Sequence, residues 1–248
     1  MSGMDEATTD TMDEATTDMT EELGRKQASD AVTGLGWRYM LGLLRTSARV
    51  PSLARGAEVS ARAVAACGPA ADRHLRIDIR PDLVDFTLQS LAAAGVTRQD
   101  IVLARRISAA LADLGMRTTA EAGPGAARSV QVLEIAIDAV DIAAVRPFWK
   151  AIMGYGDEAG QPGPQDPLID PRWQGPAIWF QQMDAPRTQR NRIHFDVSVP
   201  HDEAQRRVRA ALDAGGVLVS EARAPAFWVL ADAEGNEACV TTWQGRDS

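Results

Sequence analysis

The chain lacks most of what stabilises or addresses a protein from outside its core. Cysteine occurs only at Cys67 and Cys239, far apart and with no C-x-x-C neighbour, which excludes a disulfide framework. No apolar run approaches the roughly 20 residues that span a bilayer. The first residues are acidic and without an apolar stretch, so no secretory signal is expected and the location expected is cytoplasmic. Basic residues are missing from positions 1–24, where Asp5, Glu6, Asp10, Asp13, Glu14, Asp18, Glu21 and Glu22 carry the whole net charge of -8. The remainder is neutral, which argues against nucleic acid or a membrane surface as partner.

What is present is a core and a repeat. Hydrophobic residues make up 45% of the 248, enough to bury a core in each of two domains. Residues 1–19 hold a duplicated M-D-E-A-T-T-D, polar and without aromatics, and read as a disordered acidic tail. Order is expected from Thr20, as an N-cap opening a helix to about Val32. Strands are expected over 37–41 and 43–50, a helix over 53–67, and strands over 75–79 and 83–88. Thr97-Arg-Gln-Asp100 caps a last helix to about Leu114. Residues 20–116 therefore read α-β-β-α-β-β-α, an α+β domain with an antiparallel sheet. Residues 117–128, with Gly123-Pro-Gly125, read as a linker.

Residues 129–245 form a second domain built on a doubled pattern. Glu134-Ile-Ala-Ile-Asp-Ala-Val-Asp141 alternates as a strand and leads into a helical pattern closed at Gly154. Sixty residues on, His194-Phe-Asp-Val-Ser-Val-Pro-His201 repeats this and leads into a helical pattern closed at Gly215-Gly216. Polar groups at matching positions of a doubled strand-helix unit suggest a pseudo-symmetric cleft. The loop Gly160–Pro167 is too proline-rich for regular structure and is placed over a pocket mouth. Glu134, an acid in an apolar strand, needs a partner or a task; burial would raise its pKa and suit it to acid/base work. Trp179 and Trp228 either line a cleft for a flat ligand or pack in the core. Arg187, Arg190 and Arg192 either take an anionic group or form a solvated loop.

Two resemblances follow from these residues. Gly36-Trp37, the alanine-rich segment 53–67, Asp72-Arg-His74 and Gly95-Val-Thr-Arg-Gln-Asp-Ile-Val-Leu-Ala-Arg-Arg-Ile107 resemble pterin-4a-carbinolamine dehydratase. That family uses histidines as acid and base, and its three positions fall on Arg73, His74 and Leu91. Only His74 can shuttle a proton, since leucine has none to give and arginine is a poor acid at neutral pH. The resemblance implies either an acid/base role for His74 or a dimerisation scaffold, the alternative being a surface turn histidine. Phe148-Trp149-Lys-Ala-Ile-Met-Gly154, Arg192-Ile-His-Phe-Asp-Val197 and Val229-Leu-Ala-Asp-Ala-Glu-Gly-Asn-Glu-Ala-Cys-Val240 resemble the glyoxalase-like branch of the vicinal oxygen chelate superfamily. This implies two βαβββ modules. It also implies a divalent metal, or none, with Glu134, Gln181, His194 and Glu237 or Cys239 as its ligand positions.

The function these readings support is a small-molecule tailoring enzyme of secondary metabolism. A dehydratase or cyclase-type lyase is expected, or an isomerase, acting on an oxygenated, polyketide-like substrate. Glu134 and His194 would be acid and base, Glu237 would orient His194, and Trp179, Gln181, Trp228 and Arg192 would contact the ligand. The alternative is a non-catalytic, antibiotic-sequestering binder. A third reading, a regulator built on the dimerising first domain, lacks a recognition-helix signature. A homodimer is expected, with a small molecule as the only other partner.

Overall fold

The computed structural model describes residues 19–120, 129–187, 189 and 193–245. The duplicated acidic segment, most of the expected linker, and Arg190 and Arg192 lie outside the described residues. Two compact α+β units divide between Val132 and Leu133.

The first unit contains α1 (Arg25–Thr33), β1 (Arg38–Met40), β2 (Leu43–Arg49), α2 (Leu53–Cys67), the short α3 (Ala71–His74), β3 (Leu75–Ile79), β4 (Leu83–Leu88) and α4 (Arg98–Ala112). Its sheet is antiparallel in the order β1-β2-β4-β3. Period-two alternation puts Leu44, Thr46 and Ala48 of β2 beside Leu88, Phe86 and Val84 of β4, all buried under the helices. The helices supply Val59, Ala63, Leu103, Ile107 and Leu111 to the same core. Gly36 is obligatory: its φ is 79°, and a Cβ there would sit 2.2 Å from the Thr118 carbonyl oxygen.

The helix expected to open at Thr20 begins instead at Arg25; Met19 and Thr20 are helical, but residues 21–24 break the helix after them. Glu21–Leu23 is extended because it pairs with the segment before α4. Leu23 N donates to Val96 O at 2.8 Å and Arg98 N to Glu21 O at 3.3 Å. A tertiary backbone ladder has overridden a local capping signal.

The second unit is two copies of one pattern. The first module is β5 (Glu134–Ala139), α5 (Ile142–Met153), β6 (Gly156–Asp157), β7 (Leu168–Ile169) and β8 (Ala177–Gln182). The second is β9 (Phe195–Ser198), α6 (Ala204–Asp213), β10 (Val217–Ser220), β11 (Phe227–Ala231) and β12 (Glu237–Thr241). The sheet orders correspond: β5-β8-β7-β6 and β9-β12-β11-β10, with the first strand parallel to the last in each. The doubled βαβββ expected from the sequence is the fold. The helices pack together, and a Cβ on Gly216 after α6 would lie 2.4 Å from the Phe148 ring of α5, so only glycine fits there. The loop Gly160–Pro167 is tied to α5, since Arg146 donates to Asp166 O at 2.7 Å and to Pro167 O at 3.3 Å.

The turn Asp232-Ala-Glu-Gly-Asn236 joins the modules. Buried Asp232 accepts from Trp149 Nε1 (2.9 Å), Glu234 N (3.0 Å), Asn236 N (2.9 Å) and Asn236 Nδ2 (2.8 Å). Glu234 accepts from Val140 N at 2.9 Å and Asp141 N at 2.6 Å, where β5 enters α5. Removing the Asp232 carboxylate strands a buried indole N–H. Asp232→Ala is expected to cost about 3 kcal/mol, read as a lower urea midpoint for tryptophan fluorescence with little change in slope.

Candidate functional site

Alternation sorts each strand of the second unit into a core side and an open side. In the first module, Ile135, Ile137, Ile178 and Phe180 turn to the helices, and Glu134, Ala136, Asp138, Trp179 and Gln181 share the other face. The register sets Ala136 beside Trp179 and Asp138 beside Gln181. In the second module, Phe195, Val197, Ala238 and Val240 face the core, while Asp196, Ser198, Cys239 and Thr241 share the open side, with Cys239 beside Asp196. His194, two residues before Asp196, lies on that side too.

Trp228 is a correction. It pairs with Val240, is 5% exposed and belongs to the core, so it lines no cleft. Trp179 does stand on the open face, 36% exposed. Glu134 is exposed, not buried among apolar side chains. The shifted carboxyl is its neighbour Glu158, whose pKa is raised by its half-burial and then by the negative charge of Glu134. Glu158 also accepts from Gln161 Nε2 at 3.1 Å. Nothing in the sequence marks Glu158, which sits in the irregular stretch after β6.

The carboxylate beside His194 is Asp196, with Nε2 to Oδ1 at 3.5 Å, whereas the sequence reading assigned the orienting role to Glu237. The pattern His-Phe-Asp held the signal, because residues two apart on a strand share a face. Glu237 begins β12 opposite Ala231. Arg187 pairs with Asp138 at 3.2 Å. Among the described residues, the one group of three or more His, Cys, Asp or Glu side chains that gathers as for a metal is His194, Asp196 and Cys239. Their ligand atoms lie within 4.8 Å of one another. Glu134 and Glu237, implied as ligands by the resemblance, are not in that group.

In the first unit His74 is no surface turn residue. Its Nδ1 lies 2.8 Å from Asp100 Oδ1, and the side chains are 14% and 0% exposed. Asp100 Oδ2 accepts from Thr97 N and Thr97 Oγ1, both at 2.8 Å, in the capping box of α4. Held to Asp100 through Nδ1, the imidazole turns Nε2 away from the carboxylate. The other two family positions adjoin it: Leu91 N donates to Arg73 O at 3.0 Å, and Gln89 N to His74 O at 3.0 Å. His74, Arg73 and Leu91, the three positions implied by the resemblance, thus lie together, and His74 is the one histidine among them. Arg76 nearby is pulled down to about 10 by burial and then by Arg45.

Residues 18–110 match the family model for pterin 4 alpha carbinolamine dehydratase, and residues 134–241 that for a glyoxalase-like domain. A putative pterin-4-alpha-carbinolamine dehydratase of Mycolicibacterium smegmatis is 36% identical over 92 residues, 37% of this chain and 97% of that protein. One from Mycobacterium sp. (strain JLS) is 39% identical over 72 residues, 29% of this chain and 76% of that protein. Similar solved structures include a transcriptional coactivator/pterin dehydratase from Brucella melitensis, with 24% identity, 36% and 98% coverage, and a TM-score of 0.33. A glyoxalase/bleomycin resistance protein/dioxygenase family enzyme from Burkholderia phytofirmans PsJN gives 18% identity, 44% and 95% coverage, and a TM-score of 0.37. The chain joins two small-molecule domains. Through its first unit it belongs to the pterin-4-alpha-carbinolamine dehydratase family, and its second is a glyoxalase-like domain.

Glu158 has a raised folded pKa, so the fold binds its proton more tightly than the unfolded chain does. Its contribution is present below the ordinary carboxylate pKa and is lost as pH rises through the raised value. Glu158→Gln keeps the acceptor for Gln161 and removes the charge. The variant is expected to match the wild type in acid and to melt higher at neutral pH, measured by thermal unfolding across the carboxylate range.

Proposed function

We propose that this protein is a lyase that removes water from an oxygenated organic molecule on the open face of the first glyoxalase-like module. The observation that carries the reading is the pair Glu134 and Glu158: an exposed carboxyl group beside a half-buried one whose pKa is raised by its burial and then by the charge of Glu134. Dehydration needs one group to take a proton and another to give one. Glu134 takes a proton from a carbon next to a carbonyl. Glu158 gives one to the departing hydroxyl, which leaves as water. Trp179 offers an aromatic surface to a flat ring, and Gln181 on the same strand face hydrogen-bonds a substrate oxygen. A polyketide-like intermediate of secondary metabolism has the carbonyls and hydroxyls this chemistry uses. The family's dehydration chemistry in the first domain supports the class of reaction, and His74, held by Asp100, is its remaining base there.

Loss of two of three histidine positions favours a second reading, a small-molecule binder without turnover. One experiment separates the two. Native mass spectrometry of freshly purified protein identifies a co-purified molecule, which is then supplied to wild type, Glu134→Gln and Glu158→Gln. The lyase reading expects wild type to form a product lighter by one water. It expects each variant to keep affinity and lose about 10²–10⁴-fold in turnover. Equal affinities with no product from any of the three would leave sequestration.

A further inference from the structure

We propose that the glyoxalase-like domain binds one zinc ion within its second module, on His194, Asp196 and Cys239, with no ligand from the first. The site follows from strand geometry. His194 and Asp196 are two residues apart and so share a side, and the parallel register of β9 with β12 sets Cys239 directly beside Asp196. Three donors on a triangle of this kind converge without any long loop. Their ligand atoms fall within 4.8 Å of one another, with His194 Nε2 3.5 Å from Asp196 Oδ1. Zinc bonds of about 2.0–2.3 Å place tetrahedral ligands roughly 3.3–3.7 Å apart, so the His194–Asp196 pair already stands at ligand spacing.

Donor chemistry selects the ion. A thiolate, an imidazole and a carboxylate suit zinc, whereas magnesium and calcium require oxygen donors throughout. Cys239 is 7% exposed and forms the floor. The side chains of His194 and Asp196 are 52% and 60% exposed and form the rim, so the ion is reached from solvent. Binding converts the thiol to a thiolate and releases its proton to the buffer. Three protein ligands leave a fourth position for water or an oxygen of a bound molecule, as in catalytic rather than structural zinc sites. This differs from the ligand set implied by the superfamily, which takes two side chains from each module. It is also independent of the Glu134–Glu158 reading, which concerns the other sheet.

The test uses the full chain, stripped with a chelator and titrated calorimetrically with zinc chloride, and separately with cobalt(II) followed by absorbance. The expected result is one zinc per chain, a thiolate-to-cobalt charge-transfer band, and no response to magnesium. Cys239→Ser should abolish the band. Asp196→Asn, at an exposed position whose loss does not threaten the core, should weaken zinc by more than about 100-fold, beyond the 10–100-fold typical of outer-shell changes. Glu134→Ala should leave zinc affinity unchanged. Absence of stoichiometric zinc in the wild type overturns the site. So does a cobalt complex without the thiolate band. A Glu134→Ala loss equal to that of Asp196→Asn would restore a site shared between the modules and sink the one-module assignment, whatever Glu134 does in turnover.

Discussion

The buried carboxylate of Asp232 is the contact on which the glyoxalase-like domain depends. Two βαβββ modules, each with a four-stranded sheet and one helix, have too little core to stand separately. Asp232 holds the β11–β12 turn of one module in shape and binds Trp149 from the helix of the other. Through that turn Glu234 reaches the N–H groups where β5 becomes α5. Trp149 in turn packs edge-on against Phe148 and Phe195, one ring from each module. A charged acceptor that satisfies four donors orients this contact in a way apolar packing alone does not, since apolar packing is non-directional.

Once the modules are locked, the parallel pairing of first and last strands decides what each open face can present. Side chains in register lie side by side on one face. Glu134, Trp179 and Gln181 thus share one face of one sheet, and Asp196 and Cys239 stand side by side on the other. The same rule sends Trp228 inward, because it is in register with Val240 and not with Cys239. The two faces differ in character as a result. One carries oxygen donors and an aromatic plane, and the other gathers nitrogen, sulfur and oxygen at a single point.

Much of this was legible in the sequence, and the boundary of legibility is physical. Period-two alternation and glycine closures identified both modules, because those signals are local. The open-face positions of Glu134, Trp179 and Gln181 follow from parity along a strand. Trp228 was misplaced because parity alone does not say which of two faces is the core; that needs the register with β12. Asp100 was visible as a helix cap, yet its bond to His74 spans 26 positions and is a tertiary fact. Glu158 lies in irregular chain, where no periodicity exists to read. Thr20 misled because Glu21–Leu23 spends its backbone groups on the strand-like partner at Val96–Arg98 instead of on a helix.

In the first domain one buried carboxylate serves a helix cap and a histidine together. Asp100 is fully buried, and three donors, from Thr97 N, Thr97 Oγ1 and His74 Nδ1, offset the desolvation of its charge. Those bonds serve the cap of α4 and the orientation of His74 together, so folding alone suffices to retain them. No such structural duty falls on the positions of Arg73 and Leu91, whose backbone atoms make the local contact whatever side chain they carry. A histidine kept by a buried cap is therefore weaker testimony to activity than one kept by nothing else.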